Sequence, residues 1–176
     1  MGPSVEHDRI SRVAAALVEL LAEEADTDVE NAGSTTFKRE DLSRGFEPDE
    51  CFYFGGNAGR VRELAAGKGN LDLDSGGPAP DLVVQVNITS PSLDKLPSYA
   101  RLGVAEVWRH DGERLVVFLT AEASAGGEGS YYTAAPESAF LPGATGDALT
   151  RLVAEGLTLD RRVWRRRVRD WARALG

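Results

Sequence analysis

The stretch Pro80–Trp108, PDLVVQVNITSPSLDKLPSYARLGVAEVW, decides how the rest of the chain is read. It divides into strand, turn, helix and strand. Side chains alternate along a strand, so a strand from Asp81 to Ile88 puts Leu82, Val84, Val86 and Ile88 on one face and Asp81, Val83, Gln85 and Asn87 on the other. The first face is expected to be core and the second to carry polar groups. Thr89, Ser90, Pro91 and Ser92 end the strand, and a hydroxyl among them can cap the next helix. Lys95 and Tyr99 then stand four apart on one helical face. Gly103 closes that helix, and Val104–Arg109 returns as a strand with Val107 and Trp108 available for packing. Two polar strand residues two apart, followed by a lysine from an adjoining element, let a cation and an ammonium meet one phosphate. That is a nuclease-like layout.

Upstream, Phe46-Glu47-Pro48-Asp49-Glu50 leads into Cys51-Phe52-Tyr53-Phe54. Pro48 marks the edge of this strand, so Asp49 stands where it begins. A carboxylate there is either a solvated cap or a metal ligand. His7–Glu24 reads as an amphipathic helix with Ile10, Ala14, Leu17 and Leu21 on one stripe. His7 lies near the end of that stripe, first as a structural residue and second as a base or phosphate contact beside a site. Val29–Lys38 is a strand entering the sheet, and Lys38-Arg39-Glu40-Asp41 an exposed mixed-charge turn. Gly55–Gly69 is Gly-rich but contains neither GxxxxGK[ST] nor GxGxxG, which rejects a phosphate loop and leaves a short helix in a mobile connection.

Downstream, Asp111-Gly112 between two apolar runs is a hairpin turn joining adjacent strands. Ala121–Gly129 is a polar loop, Tyr131–Thr133 a short strand, and Ala144–Glu155 a helix with Leu149, Leu152 and Val153 inward. In the last helix, over residues 159–175, Trp164, Val168, Trp171 and Leu175 form an apolar stripe among arginines. Such a stripe docks onto the body or onto a dimer partner. These elements predict one α/β domain over residues 1–176, with a central mixed sheet flanked by helices.

PDLVVxV, then SPS, Lys95 four before Tyr99, GVAEVW and the upstream FEPDECFYF together resemble the Uma-type restriction-endonuclease family of the PD-(D/E)xK nuclease superfamily. The resemblance covers roughly residues 4 to 120. It implies a restriction-endonuclease-like fold, DNA as substrate and a homodimer. It also implies Mg2+ or Mn2+ held by an acid near the first strand and an acid on the central strand, with a lysine polarising water and phosphate. Carried onto this chain, the catalytic set is Asp49, Gln85 and Lys95, and the metal ligands are Asp49 and Gln85. Asp49 and Lys95 meet the pattern. Gln85 stands where the family has Glu, and Asn87 at a position often acidic in relatives. An amide oxygen ligates a cation but brings no charge, so cation binding is expected to be weakened. Asp81 shares the strand face but lies four residues from Gln85, about 13 Å along the strand, and reads equally as a structural acid.

The totals bound these readings. The 176 residues are 42% hydrophobic, as in a soluble globular protein. There is no run of about 18 apolar residues and no signal-peptide build at Met1–His7, so a cytoplasmic protein is expected. Cys51 is the only cysteine, which excludes intrachain disulfides and Cys-based zinc sites and suggests a buried thiol. The net charge of −8 argues against general adhesion to a polyanion. Residues 161–176 carry seven Arg and one Asp, a local +6, which leaves −14 on residues 1–160. That basic helix is either a nucleic-acid footprint or a solvated face balancing an acidic body. Three functions follow: a metal-dependent endonuclease weakened at Gln85; a catalytically silent nuclease fold binding nucleic acid or protein; and an assembly module working through its last helix.

Overall fold

The computed structural model describes residues 4–37, 47–67, 73, 76–88, 95–122 and 130–176. Among these the chain forms α1 (Val5–Glu24), β1 (Val29–Gly33), β2 (Glu50–Phe54), α2 (Gly55–Ala66), β3 (Leu82–Val86), α3 (Leu96–Leu102), β4 (Glu106–His110), β5 (Leu115–Glu122), β6 (Ser130–Ala135), α4 (Gly146–Thr158) and α5 (Arg161–Arg173). The strands lie side by side in chain order in one sheet. Only β3 and β4 are parallel; every other neighbouring pair is antiparallel. A parallel pair needs a crossover, and the segment carrying α3 supplies it. The result is a mixed sheet with helices on both faces, an α/β fold of the restriction-endonuclease-like kind.

The alternation of β3 sorts the core into two halves. Leu82, Val84 and Val86 join Phe52, Trp108 and Val117 beneath the apolar faces of α1, α4 and α5. Val83 joins Cys51, Tyr53 and Val107 beneath Ala58 and Val61 of α2 and Tyr99 and Leu102 of α3. The face of β3 expected to be polar is therefore buried, with Val83 at 1% and Gln85 at 4% exposure. The physical reason is coverage. A strand with helices on both sides is apolar on both sides, and Gln85 is the polar exception in LVVQV.

Local signals explain most of the elements. Ser4 caps α1 by accepting from His7 N at 3.2 Å, so the helix starts at Val5. The Asp111 carboxylate accepts from Glu113 N and Arg114 N, and Gly112 adopts φ 107°, which makes the expected hairpin between β4 and β5. Gly55–Gly69 contains the expected short helix. This is the 12-residue α2, seated on the sheet by Ala58 and Val61. Asp81 fastens its start, accepting from Phe54 N at 2.7 Å and Asn57 Nδ2 at 2.9 Å, so Asp81 is a structural acid. Cys51 is buried as expected, and burial pushes its thiol up to about 12. The expected turn at Lys38–Asp41 and helix start at Thr89–Ser92 lie outside the described residues.

The last helix docks onto the body. Trp164 and Val168 are fully buried, and Trp164 Nε1 donates to Leu152 O at 2.8 Å. Gly156 admits the indole, since a Cβ there would sit 2.5 Å from Val13 Cγ1 and 2.8 Å from Trp164 Cε2. Trp171 packs at the margin of this core, and Leu175 is half exposed. Arg169 reaches Glu23 and Glu24, Arg173 reaches Glu24, and Arg167 reaches Glu155. Much of the terminal positive charge is thus answered by acids of α1 and α4. No helix among the described residues is long and apolar enough to cross a membrane.

Two measurements test this packing. Trp164→Ala is expected to cost about 3–5 kcal/mol of stability in urea unfolding, since it empties a fully buried indole site. Glu106, also fully buried, accepts from Trp108 Nε1 at 2.6 Å and Ala139 N at 2.9 Å, and burial raises its carboxyl above the ordinary value. The folded chain holds that proton more tightly than the unfolded chain. Its stabilising contribution is therefore complete below the ordinary carboxylate range and is lost as pH rises through the raised value. Urea midpoints across that window should fall less with rising pH in Glu106→Gln than in the native chain.

Candidate active site

The site is built where β2 stops short of β3. Glu50 pairs with Val84, so β2 offers Val86 no strand partner. The Asp49 side chain takes that role: its Oδ2 accepts from Val86 N at 2.7 Å. The same oxygen accepts from Gln85 Nε2 at 2.9 Å. The other oxygen, Oδ1, faces His7 Nε2 at 3.2 Å. Three nitrogens thus surround one carboxylate whose side chain is 17% exposed. Hydrogen bonds to an ionised acceptor are the stronger kind, so this acid ties α1, β2 and β3 together.

Gln85 sits at the centre of the constellation. Its Nε2 donates to Asp49 Oδ2 and, at 3.3 Å, to Asn87 Oδ1. Its Oε1 accepts from Tyr99 OH at 2.5 Å and from Lys95 Nζ at 3.3 Å. A primary amide has two N–H donors and two acceptor lone pairs, and here all four are used. The neighbours also set which way round the amide lies. Turned over, it would put oxygen against the Asp49 carboxylate and N–H against the Lys95 ammonium, losing both interactions. Tyr99 is 1% exposed, and burial first, then the Asp49 charge, drives its phenol far above the ordinary value. It therefore stays protonated and donates.

Helix α3 delivers the two donors. Lys95 is the residue before the helix, and its carbonyl accepts from Ser98 N and Tyr99 N. That first turn brings Lys95 and Tyr99 to one oxygen of β3. Asp49, Gln85 and Lys95 therefore stand in one connected cluster. Tyr99 joins them through Gln85, a contact whose local signal is the four-residue spacing from Lys95.

His7 stands beside the same cluster, in contact with Asp49. Its ring lies between Asp49 and Asp8, whose Oδ1 is 3.4 Å from Nδ1. A cavity of about 450 Å³ opens on this side, lined by His7, Ser11, Arg12, Ser34, Pro48, Asp49 and the acids Asp8, Glu47 and Glu50. Glu50 accepts from Ser11 Oγ at 3.4 Å, and burial raises its carboxyl above the ordinary value. Its position follows from strand alternation: Asp49 turns toward Gln85, and the next residue turns toward α1.

The donor set can be compared with what a hard divalent cation requires. Mg2+ wants an octahedron of oxygens, usually with anionic ligands among them. Among the described residues Asp49 is the one carboxylate in contact with Gln85, and its Oδ2 already accepts two N–H bonds. Gln85 Oε1 is directed at Lys95 and Tyr99 rather than toward Asp49. Among the described residues no group of three or more His, Cys, Asp or Glu side chains is placed to hold a metal. As arranged, the described residues do not fit the expected cation.

An acid at a strand start, a polar residue on the central strand and a lysine thus meet in one cluster. Residues 1–145 match the Uma2 family, described as "Putative restriction endonuclease", and the chain belongs to that family. No curated protein matches the sequence.

Tyr99→Phe tests the cluster without altering its charge. It removes one of the two donors to a buried amide oxygen and is expected to cost about 1 kcal/mol, read as a lower urea midpoint at unchanged slope.

Proposed function

We propose that this chain acts on the phosphodiester backbone of DNA at Asp49, Gln85 and Lys95, and that hydrolysis there is attenuated by the neutral amide at position 85. The observation that carries the reading is the contact of Gln85 with both Asp49 and Lys95. Family membership supports a nuclease role, and this contact supports where the role resides. Lys95 supplies a positive charge for a phosphate oxygen, and Asp49 an anionic oxygen beside it. A divalent cation in a nuclease neutralises charge developing on phosphate oxygens. Beside Gln85, among the described residues, such an ion meets the carboxylate of Asp49 where the family pattern has two.

A second reading is favoured by a specific observation. The saturated amide of Gln85 is a complete hydrogen-bonded arrangement, suited to a silent nuclease fold that binds nucleic acid or protein. Assembly through the last helix has less support, because Trp164 and Val168 of its apolar stripe are buried against the body. With a net charge of −8, DNA contact depends on local groups rather than overall attraction.

Cleavage of plasmid and linear DNA with Mg2+ and with Mn2+ separates the two readings. The native chain is expected to be slow, Gln85→Glu to gain on the order of 10²-fold, and Lys95→Ala to remove that gain. Cleavage absent from every folded variant would reject hydrolysis and leave the silent reading.

A further inference from the structure

We propose that the Gln85 amide group takes the place of a cation in this pocket, so that the site is closed and satisfied with no metal bound. The inference rests on the reading of the pocket as a nuclease centre and concerns what holds that centre together. Gln85 Nε2 lies between two oxygens, Asp49 Oδ2 at 2.9 Å and Asn87 Oδ1 at 3.3 Å, and gives one hydrogen to each. A partly positive NH2 group bridging two oxygens performs the electrostatic task of a small cation bridging them. The second half of the amide is equally committed. Its oxygen receives the Lys95 ammonium and the Tyr99 hydroxyl, so no lone pair remains for an ion.

The consequence appears on exchanging nitrogen for oxygen. A glutamate at position 85 would keep Lys95 and Tyr99 on one oxygen and bring its other oxygen to the place of Nε2, against Asp49. Two carboxylate oxygens at that separation repel, and in a pocket where Gln85 is 4% exposed water screens them poorly. A proton or a cation is then required between them. The amides Gln85 and Asn87 thus form a matched pair: the first donates where the second accepts, which two carboxylates could not do unaided. By this account the neutral residues do more than remove ligands. They supply an internal replacement for the ion.

The experiment uses the full chain and Gln85→Glu. Mn2+ binding is followed by the electron paramagnetic resonance of the free ion, and thermal unfolding is recorded with and without Mg2+ or Mn2+. The native chain is expected to show no saturable Mn2+ binding and an unchanged Tm, while Gln85→Glu binds Mn2+ at least tenfold more tightly and gains Tm when the cation is added. Saturable Mn2+ binding by the native chain that is lost in Asp49→Ala would overturn the proposal. So would equal affinity in the native chain and Gln85→Glu. If Gln85→Glu does not fold, the native titration and its Asp49→Ala control decide alone. A Gln85→Glu chain that binds Mn2+ yet cuts no DNA keeps this inference and rejects the nuclease reading; a native chain that binds Mn2+ and cuts DNA does the reverse.

Discussion

The carboxylate of Asp49 is the constraint from which the site's arrangement follows. It lies one residue before β2 begins, where Val86 has an amide hydrogen but no strand partner on that side. A buried N–H left unpaired costs free energy comparable to a lost hydrogen bond. Asp49 supplies the acceptor, and in doing so is drawn against Gln85 and within reach of His7. The acid is therefore both the end of a strand ladder and the hub of the polar cluster. One side chain serves the strand ladder and the polar cluster together, so changes at position 49 act on both.

Gln85 shows why a polar residue survives in the middle of a sheet covered on both faces. Its neighbours in β3 are all apolar, and the helices on either side leave little room for water. Burying an amide without partners is expensive, whereas a fully paired network is rigid and specific. The four contacts of Gln85 reach Asp49 from the β2 side, Asn87 along the chain, and Lys95 and Tyr99 from α3. Its polar satisfaction depends on all of these elements being in place at once. The cluster is thus a consequence of the packed fold, and it also records the register of β3 against α3.

The rest of the molecule supports this centre by ordinary means. Helix α1 buries a broad apolar stripe and carries His7 at its beginning to the open end of the sheet. Helix α5 covers the far part of the same layer with Trp164 and Val168, and three of its arginines meet glutamates of α1 and α4. Exposed ion pairs contribute little stability each. Their significance is that the terminal cluster of positive charge is partly spent within the chain.

Much of the architecture was legible in the residues. The alternation in LVVQV, the Asp111-Gly112 turn, the apolar spacing of Leu149, Leu152 and Val153, and the stripe around Trp164 are local patterns whose period declares the element. Less could be read where the outcome depended on coverage: one face of β3 is expected to be polar and is buried. The types Asp49, Gln85 and Lys95 and their strand or helix positions were set by sequence, because alternation and turn chemistry act over a few residues. Their meeting was decided by tertiary structure, as was the recruitment of His7 and Tyr99. Contacts between residues 10 to 42 positions apart arise only when strands pair and helices cover them. The direction of the Gln85 amide is likewise invisible in a letter code, since it is chosen by a carboxylate on one side and an ammonium on the other.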